Sequence, residues 1–509
     1  MSEYTPRSRA LVVQSRLRTS SQLCKKICRD LGIETVAVYS DADRTAPHVT
    51  SADYAVRLGP APSAESYLAI PRIVEAARAT AAALVHPGYG FLAESAEFAR
   101  ACESAGLTFV GPSPASIEAM GKKTRSRELM RKAGVPVVPG TTTPARDAGE
   151  LEDFARSAGY PILLKASAGG GGKGMRRVEK EEDLPAAFSR AKAEAKASFG
   201  DGSIYAEKLL ERPRHVEVQL VADRHGNRVT VGERECSLQR RHQKVVEECP
   251  SAAIGPALRA SLFSAAIVAA DAVGYDSCGT VEFLVEPDGS FYFLEMNTRL
   301  QVEHPVTEEV FGVDLVTEMI RIARGEKLSI RPDIAARGHA IECRIYAEDP
   351  ARGFSPSPGV VERLHLPEGP GVRNDVGIEA GSRVPIDYDP MLGKLVVSGP
   401  NREAAIDRLT RALDEYEVAG VETTLPLFRE LVREPDFRSG RFHTQWLDDW
   451  LASPRLIARE ATAEETFLAA LSLTEAAGRA LPQPARDRSR WMETARAAAL
   501  RSGEGRLRR

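Results

Sequence analysis

Short apolar runs alternate with amphipathic stretches over about the first 120 residues of the chain. The runs predict strands, or strand ends that lead into loops, at residues 11–13, 34–40, 82–90 and 107–112. A helical pattern lies between about residues 20 and 30. Strands and helices that alternate in this way predict a parallel sheet with helices on its faces. We therefore expect an N-terminal α/β layer. A helix over residues 120–135 is expected to lead the chain out of this layer.

The pattern changes after this layer. A strand at residues 161–166, a glycine run and a charged helical stretch at 179–199 predict a smaller unit. Strand-like runs joined by turn sequences then follow at residues 204–210, 215–223, 228–235, 279–286 and 290–297. These runs predict an antiparallel sheet, and with a helix at 258–273 they indicate an α+β fold class. Beyond about residue 450 the Ala/Arg/Glu-rich chain predicts a helical or partly disordered tail.

Polar side chains occupy every second position from the end of the last of these strands. Because alternate residues of a strand share one face, a single face is expected to carry all of them. In order they are Glu295, Asn297, Arg299, Gln301 and Glu303. A Pro-Asp-Gly turn sequence at 287–289 precedes the strand and predicts a hairpin. Its register would place Glu282 opposite Glu295 and Leu284 opposite Phe293.

Two carboxylates that face each other repel unless a cation lies between them. Oxygen ligands from Glu282, Glu295 and the Asn297 amide suit Mg²⁺ or Mn²⁺ better than zinc, and Mg²⁺ sites of this kind often include nucleotide phosphates. Arg299 offers a planar guanidinium to a small oxyanion, and Glu303 beside it is a candidate base. The alternative is a solvated polar face on which Glu295 and Arg299 offset each other.

The glycine run within residues 165–177 directly follows a strand. It lacks the Ser or Thr of a Walker loop, and no acidic residue ends a second strand as in a dinucleotide fingerprint. Consecutive glycines still let backbone N–H groups approach an oxyanion closely. Lys165 and Lys173 flank the run with positive charge. We expect a mobile lid over phosphates, with a flexible linker as the alternative.

Basic residues cluster within residues 233–250. Over eleven positions the chain carries Arg234, Arg240, Arg241, His242 and Lys244. One interpretation is an anion pocket in which Lys244 and Arg299 hold a carboxylate-like substrate. The other is a charged surface loop.

Composition narrows the function classes. A chain of 509 residues is too long for one hydrophobic core, so several domains are expected. A net charge of −3 without blocks of one sign gives no case for nucleic acid or a membrane surface. Seven scattered cysteines without a CxxC pair favour a reducing compartment over disulfides or structural zinc. With no signal peptide or membrane-spanning run in the sequence, we expect a cytoplasmic protein.

Taken together, these motifs resemble biotin carboxylase, the ATP-grasp component of biotin-dependent carboxylases. The resemblance extends from about residue 31 to 450. It rests on HPGYGFLAE at 86–94, KASAGGGGKGM at 165–175, PRHVEVQ at 213–219, ERECSLQRRHQKVVEE at 233–248, EMNTRLQVEHPVTE at 295–308, ECRIYAEDP at 342–350 and YDPMLGKL at 388–395. Each motif is weak alone, whereas the ordered set is specific.

The resemblance implies a domain organisation and an activity. The domains would be an N-terminal, pre-ATP-grasp α/β domain at 1–120, an ATP-grasp domain at 121–330 with a lid at about 136–203, a C-terminal antiparallel domain at 331–450 and the tail at 451–509. ATP would phosphorylate bicarbonate to carboxyphosphate, and the CO₂ released would carboxylate N1′ of carrier-bound biotin. The implied cofactors are ATP and two Mg²⁺ or Mn²⁺ ions.

The resemblance also assigns site residues. The metal ligands would be Glu282, Glu295 and Asn297. ATP would contact both glutamates together with Lys123, Lys165, Gly169, Gly170, Gly171, Gly172, Glu207, Lys208, His215, Gln239 and His242. Bicarbonate would lie on Lys244, Arg299, Gln301 and the backbone of Val302. Glu303 would remove its proton, and Arg344 would stabilise the biotin enolate.

The sequence departs from the family in one loop and at one further residue. Residues 16–20 read RLRTS where relatives carry a loop glycine and an acid. Arginine is a poor substitute for a glycine that needs a positive φ, so the N-terminal packing and any dimer contact there are expected to differ. Lys122 stands where the family usually has Asp.

The sequence also bears on partners. No Met-Lys-Met occurs in the chain, so we expect the biotin carboxyl carrier protein and the carboxyltransferase to be separate subunits. The expected function is biotin carboxylation within a multi-subunit acetyl- or propionyl-CoA carboxylase, by a homodimer that binds neither nucleic acid nor a membrane. A pyruvate carboxylase subunit, another ATP-grasp ligase and a non-catalytic scaffold are the alternatives.

Overall fold

The computed structural model describes residues 9–12, 28–141, 143–167 and 175–453. Outside these residues lie the altered loop at 16–20, most of the helix predicted near 20–30, nearly all of the tail, and Gly169, Gly170, Gly171 and Gly172. All described strands and helices belong to one compact unit, Met1–Ala452. None of the helices in the described ranges is long and apolar enough to cross a membrane.

The first five strands form a parallel sheet. They are β1 Arg9–Val12, β2 Glu34–Ser40, β3 Tyr54–Gly59, β4 Leu84–His86 and β5 Thr108–Phe109. Their order is β3-β2-β1-β4-β5. Between consecutive strands from β2 onward lie α1 Pro47–Thr50, α2 Ile70–Ala79 and α3 Ala96–Ser104. Val36 and Val38 of β2 share a buried core with Phe98 of α3. The predicted N-terminal α/β layer is confirmed.

The helix predicted over residues 120–135 is confirmed at its centre, but its predicted start was wrong, because the preceding helix extends to Gly121. α4 spans Pro114–Gly121 and α5 spans Lys123–Lys132. Between them Lys122 is extended, with φ −108° and ψ 113°, and its side chain does not cap α5. Glycine is a poor helix former, which favours the break after Gly121. Lysine has no acceptor with which to cap the next helix, whereas the aspartate usual in the family has one.

A small unit follows. It contains β6 Ile162–Ala166, β7 Met175–Val178 and β8 Ile204–Lys208, with helices α6 Gly149–Ala158 and α7 Leu184–Phe199. The strands are antiparallel in the order β7-β6-β8, and β6 and β7 flank the glycine run. Leu151 of α6 and Phe188 of α7 pack with Ile162 and Leu164 of the central strand. The helices thus cover the apolar side of this small sheet.

The remaining strands build the largest sheet and three small ribbons. They are β9 Arg214–Ala222, β10 Arg228–Arg240, β11 Gln243–Cys249, β12 Ser277–Val285, β13 Phe291–Asn297, β14 His339–Tyr346, β15 Glu348–Asp349, β16 Ser355–Pro356, β17 Gly359–Val360, β18 Arg363–His365, β19 Val372–Val376, β20 Arg383–Val384, β21 Met391–Gly399 and β22 Glu417–Ala419. The large sheet has eight strands in the order β13-β12-β9-β10-β11-β14-β21-β19. The ribbons pair β15 with β16, β17 with β20 and β18 with β22.

All pairings in the large sheet are antiparallel, which confirms the predicted sheet type. The strand predicted at 204–210 is not part of this sheet, because β8 pairs with β6 in the small sheet. β11 pairs with β14, with Val246 opposite Cys343, so one sheet joins segments that are far apart in sequence. The accompanying helices are α8 Pro256–Ala272, α9 His304–Phe311, α10 Leu315–Ala323, α11 Arg402–Glu415, α12 Leu425–Leu431, α13 Pro435–Ser439 and α14 Trp446–Leu451.

The β12–β13 hairpin shows how far its register was predictable. Glu282 lies opposite Glu295, as predicted. A bulge follows at once, so Leu284 pairs with Tyr292, and the predicted partner Phe293 pairs with Phe283 instead. The second prediction was therefore wrong, because an extra residue in one strand shifts every later pair.

The prediction that residues 295–303 continue as one strand was also wrong. β13 ends at Asn297, and a loop and a turn follow. Glu303 is the N-cap residue of α9. The five polar side chains therefore come from a strand, a loop and a helix start rather than from one strand face.

Candidate active site

A cleft of about 690 Å³ lies between the small sheet and the large one. Among its lining residues are Lys123, Lys165, Glu207, Lys208, His215, Gln239, His242, Lys244, Glu282, Glu295, Asn297, Arg299, Gln301, Val302 and Arg344. Glu303 contacts two of these side chains from a fully buried position. The four lid glycines lie outside the described residues. The structure thus brings every described residue of the predicted site together, although their roles stay predictions.

Strand register explains why polar groups meet here. Residues 215, 217 and 219 of β9 share one face, and β12 runs beside it with Glu282 directly opposite Glu217. β13 adds Glu295 on the other side of Glu282. Three neighbouring strands thus present carboxylates in one row, and like charges in such a row require cations to offset them.

Lys244 of β11 supplies one such cation. Its Nζ lies 2.6 Å from Glu217 Oε2, 2.9 Å from Glu282 Oε1 and 2.7 Å from Glu303 Oε1. Burial disfavours the charged amine, but these three carboxylates raise the pKa of Lys244 well above its usual value. The ammonium group is therefore a fixed cation among these three carboxylates.

Arg344 of β14 holds the other side of Glu303. Arg344 Nη2 lies 3.0 Å from Glu303 Oε2, and the same nitrogen contacts the buried Glu247. Burial alone favours the neutral acid, yet Lys244 and Arg344 hold the pKa of Glu303 well below its usual value. We refer to Lys244, Glu303 and Arg344 as the inner triad.

The three predicted metal ligands are close neighbours. Asn297 Nδ2 donates to Glu282 Oε1 over 2.9 Å. Burial disfavours the ionised form of Glu282, but Lys244 and His215 lower its pKa far below the usual value. Lys123 Nζ lies 3.1 Å from Glu295 Oε2, and both side chains are partly exposed. We refer to Lys123 and Glu295 as the outer pair.

This donor set fits a hard divalent cation. Its ligand atoms are carboxylate and amide oxygens, and at least one of the carboxylates is firmly ionised. Glu282 also belongs to a second group: it and the side chains of His215 and Glu217 offer ligand atoms within 4.8 Å of one another. Glu217 is already held by Lys244 and the buried Arg234, whereas Glu295 is paired with the partly exposed Lys123, which favours the Glu282–Glu295 side for an ion.

Arg299 is held in place by three other side chains. Its Nε lies 3.1 Å from Glu94 Oε2 of the N-terminal layer. Its Nη1 donates to Gln301 Oε1 over 3.0 Å, and its Nη2 donates to Asn297 Oδ1 over 2.9 Å. Two of these acceptors are neutral amides, which a small anion can replace because charged acceptors form stronger bonds with guanidinium.

The opposite end of the cleft carries further cations. Glu207 of β8 contacts both Lys165 and Arg127. Burial, with the neighbouring charges of Lys123 and Arg127, lowers the pKa of Lys165 to about 7 despite its contact with Glu207. An incoming polyanion would restore the charge of this lysine.

His215 and Gln239 form a second contact in this region. Gln239 Nε2 donates to His215 Nδ1 over 2.7 Å, which leaves the proton of a neutral imidazole on Nε2. That Nε2 atom lies 3.0 Å from Glu282 Oε2. His242 lies in the turn between β10 and β11 with φ 66°.

The sequence matches three family models and is similar to many known proteins. Family models described as "Biotin carboxylase, N-terminal domain", "Carbamoyl-phosphate synthase L chain, ATP binding domain" and "Biotin carboxylase C-terminal domain" match residues 8–117, 122–331 and 342–449. Biotin carboxylase of Halalkalibacterium halodurans is 49% identical over 427 residues, which cover 84% of this chain and 94% of that protein. The chain belongs to the biotin carboxylase family.

Further relatives are components of larger carboxylases. One pyruvate carboxylase subunit, from Methanothermobacter thermautotrophicus, is 51% identical over 427 residues, or 84% of this chain and 87% of that protein. The biotin carboxylase domain dimer of Hydrogenobacter thermophilus 2-oxoglutarate carboxylase, solved with MgADP, ADP and bicarbonate, has a TM-score of 0.83 and 44% identity, and the match covers 89% of this chain and 99% of that one. Membership of the biotin carboxylase family confirms the predicted fold and enzyme class, and the predicted nucleotide and Mg²⁺ agree with that dimer's ligands.

Sequence reasoning gave no role to several residues that contact the side chains of this cleft. Glu217 contacts Lys244, Glu94 contacts Arg299, and the fully buried Arg234 contacts Glu217. Arg234 also donates to Gln219 Oε1 over 2.7 Å. A signal was present in PRHVEVQ, where polar residues alternate with valines along β9 as they do along β13. The contact between Glu94 and Arg299 left no such signal, because the two residues meet only through tertiary folding.

Proposed function

We propose that the chain is the biotin carboxylase subunit of a multi-subunit acyl-CoA carboxylase, and that its cleft carboxylates biotin on a separate carrier protein with ATP and bicarbonate. The observation that supports this most is the inner triad. One carboxylate, Glu303, is buried between two cations, Lys244 and Arg344, at the end of a cleft that carries further cations. Such a group can hold a small anion and accept its proton.

Bicarbonate would bind to Lys244, Arg299, Gln301 and the backbone of Val302. Lys244 supplies a fixed ammonium charge, and Arg299 exchanges its amide partners for the anion. Positive charge around the nucleophile matters because bicarbonate must approach a phosphate that is also negative.

Glu303 would accept the bicarbonate proton on a carboxylate oxygen. Its low pKa keeps it ionised at neutral pH and therefore ready to accept. Once an anion shares the charge of Lys244, the positive potential at Glu303 falls and its pKa rises towards the value that a base needs. Arg344, the other partner of Glu303, would then stabilise the biotin enolate.

Glu282, Glu295 and Asn297 would hold the divalent cations. When bound, Mg²⁺ or Mn²⁺ would neutralise phosphate charge. Glu295 can leave Lys123 at little cost, because the side chains of this pair are 35% and 41% exposed and surface ion pairs are weak. Lys123 is then available to the phosphates.

The remaining residues would position ATP. Lys165 would bind the phosphates, Glu207 and Lys208 would lie at the adenine end, and His215, Gln239 and His242 would line the pocket. Gly169, Gly170, Gly171 and Gly172 would close over the nucleotide. A closed lid excludes the water that would otherwise hydrolyse carboxyphosphate.

The direct test measures ADP release by the purified chain with Mg²⁺ and ATP. Release that requires bicarbonate and rises with free biotin is the expected result. Release that is indifferent to both would identify another ATP-grasp ligase instead. ATP binding without any release would identify a non-catalytic scaffold.

The acceptor and the partners are a separate part of the proposal. The carrier protein and the carboxyltransferase would be separate subunits, and the chain would form a homodimer as the Hydrogenobacter relative does. A pyruvate carboxylase subunit is the second candidate, because such a subunit is 51% identical to this chain. The test purifies the chain with its native partners and supplies bicarbonate with acetyl-CoA, propionyl-CoA or pyruvate. Carboxylation of pyruvate alone would overturn the acyl-CoA assignment.

A further inference from the structure

The motif YDPMLGKL at 388–395 has no role in the function proposed above. Its lysine, Lys394, lies on β21 and is only 1% exposed. Lys394 Nζ donates to the backbone oxygen of Val302 over 2.7 Å. A buried lysine thus donates a hydrogen bond to a backbone carbonyl of the proposed bicarbonate site, and this contact suggests a role for Lys394.

Strand register places this lysine beside the inner triad. Lys394 of β21 lies directly opposite Arg344 of β14, so both side chains leave the same face of the sheet. Arg344 contacts the side chain of Glu303, and Lys394 contacts the carbonyl of Val302. Two paired cations thus hold two consecutive residues of one turn.

The bonded carbonyl is part of the peptide unit that leads into Glu303. A peptide unit is planar, so fixing its oxygen also fixes the nitrogen and Cα of the next residue. Lys394 therefore restrains the position from which the Glu303 side chain starts. It also restrains the backbone of Val302, on which bicarbonate would lie.

The same turn is held at a second carbonyl. His304 Nδ1 lies 2.8 Å from the oxygen of Gln301, and because a carbonyl only accepts, Nδ1 carries the proton. Consecutive carbonyls of the turn thus receive hydrogen bonds from side chains outside the cleft. Two side chains that do not line the cleft therefore fix the backbone of the turn that carries Gln301, Val302 and Glu303.

Lys394 also has enough partners to stay charged. Its Nζ lies 3.4 Å from Asp375 Oδ2 and 3.9 Å from Glu342 Oε2, and 5.8 Å from the centroid of the Tyr89 ring. Burial disfavours the ammonium form, but Glu342, Tyr89 and Asp375 raise its pKa. The bond to Val302 is therefore charge-assisted, which makes it stronger than a neutral one.

We propose that Lys394 is a positioning residue for biotin carboxylation, one that fixes the turn carrying the bicarbonate-binding backbone and the base through its bond to the Val302 carbonyl. The inference rests on the function proposed for the cleft. Lys394 touches no reacting atom, so its loss should disturb the use of bicarbonate and leave ATP binding largely intact.

The experiment replaces Lys394 by Met, which keeps the length and removes the donor. In the full-length K394M chain, the Michaelis constant for bicarbonate should rise at least tenfold and kcat should fall about tenfold. The Michaelis constant for ATP should stay within twofold. Amide hydrogen exchange in the peptide that contains residues 301–304 should become faster.

Two control variants separate positioning from stability. Asp375→Asn removes a charge beside Lys394 and leaves the bond to Val302. Arg429→Met removes a cation that donates to the Leu413 and Tyr416 carbonyls, which do not line the cleft. Both variants should lower the melting temperature while the bicarbonate constant and the exchange of residues 301–304 stay near wild type. If Asp375→Asn reproduces the K394M kinetics, buried charge rather than the hydrogen bond is responsible, and the proposal is wrong.

Failure of the inference is distinguishable from failure of the proposed function. Absence of bicarbonate-dependent turnover in the wild-type chain would contradict the proposed function. Unchanged hydrogen exchange of residues 301–304 in K394M would contradict the role of Lys394 in fixing the turn. A folded K394M chain with wild-type bicarbonate kinetics would overturn the inference alone. If K394M does not fold, K394R retains the charge but displaces the donor. It should raise the bicarbonate constant at least threefold, and an unchanged constant would contradict the proposal.

Discussion

The outer pair and the inner triad use the same residue types in opposite surroundings. In the outer pair, Lys123 and Glu295 lie 3.1 Å apart with side chains 41% and 35% exposed. In the inner triad, Lys244 and Glu303 lie 2.7 Å apart with side chains 12% and 0% exposed. An exposed ion pair contributes about 0–1 kcal/mol, so its members can change partners. A buried pair that loses one member leaves an uncompensated charge, so its members stay together.

This difference matches the chemistry proposed for each region. Glu295 must exchange a lysine for a metal ion whenever nucleotide arrives, which a weak pair permits. Glu303 must remain in one place and stay ionised until bicarbonate arrives, which burial between Lys244 and Arg344 provides. Substitutions in the two regions should therefore differ in kind as well as in size.

Glu303→Gln should have the largest effect. The amide cannot accept a proton from bicarbonate, so turnover should fall by roughly 10²–10⁴, the usual contribution of a positioned base. ATP binding should remain near wild type, because Glu303 does not contact the nucleotide end. Bicarbonate-dependent ADP release and equilibrium binding of ATP measure the two quantities.

Glu308→Gln is the matched control for that variant. Glu308 is a buried glutamate of α9, and its partners are Leu315 N, Arg373 and, over 3.9 Å, His304 Nε2, none of which lines the cleft. Its variant should lose stability and keep its turnover. Near-wild-type turnover in Glu303→Gln would remove this residue from the mechanism and with it the functional meaning of the inner triad.

Glu295→Gln should have an intermediate effect that added metal reverses. A neutral amide is a weaker ligand for Mg²⁺ than a carboxylate, so the Mg²⁺ concentration for half-maximal ADP release should rise about 10–100-fold. Saturating Mg²⁺ should restore much of the turnover. A Mg²⁺ titration of both variants sharpens the comparison, because Glu303→Gln should not recover. Equal recovery of the two variants would show that the regions do not differ as described.

Glu295 of the outer pair was more accessible to sequence reasoning than Lys244 and Arg344 of the inner triad, although Lys123 too was assigned only by the resemblance. Glu282 and Glu295 follow from a turn sequence and a two-residue period, which are local signals, and their pairing is confirmed. Lys244 and Arg344 come from β11 and β14, whose pairing closes a long loop of chain. No local pattern encodes such a pairing, so only the resemblance to a family placed these residues together.

The errors have local physical causes. The bulge after Glu282 shifted the hairpin register by one residue, and no turn signal marks it. The alternation from Glu295 to Glu303 suggested a continuous strand, but β13 ends at Asn297. Helix α9 starts with Pro305 near its N-terminus, where proline is favoured, and that signal indicates that the strand has ended before Glu303.

The pH dependence of ATP use tests the role of Lys165, whose neighbours include Lys123 of the outer pair. Burial and the charges of Lys123 and Arg127 lower the pKa of Lys165 to about 7, so this lysine loses its charge as pH rises through 7. In the free enzyme, kcat/KM for ATP should therefore fall about tenfold between pH 6 and pH 8. Arginine stays charged over this range, so Lys165→Arg should show a flatter profile. Parallel profiles for the two proteins would contradict the assignment of this titration to Lys165.

Glu94→Gln should have the smallest effect, because it loosens Arg299 without removing it. Glu94 accepts from Thr298 N over 3.1 Å and lies 3.1 Å from Arg299 Nε, and its side chain is 43% exposed. Losing a partly exposed contact of this kind costs about 1 kcal/mol, which corresponds to a rise of about three- to tenfold in the Michaelis constant for bicarbonate.

The constant for ATP and the Mg²⁺ requirement should not change in Glu94→Gln, because Glu94 contacts Thr298 and Arg299 rather than a proposed metal ligand. Glu97→Gln, at an exposed glutamate of α3 in the same N-terminal layer, is the control and should leave all three values unchanged. A raised Mg²⁺ requirement in Glu94→Gln would mean that Arg299 couples the metal ligands to the anion site through Asn297. The outer and inner regions would then be one unit, and the comparison between them would fail.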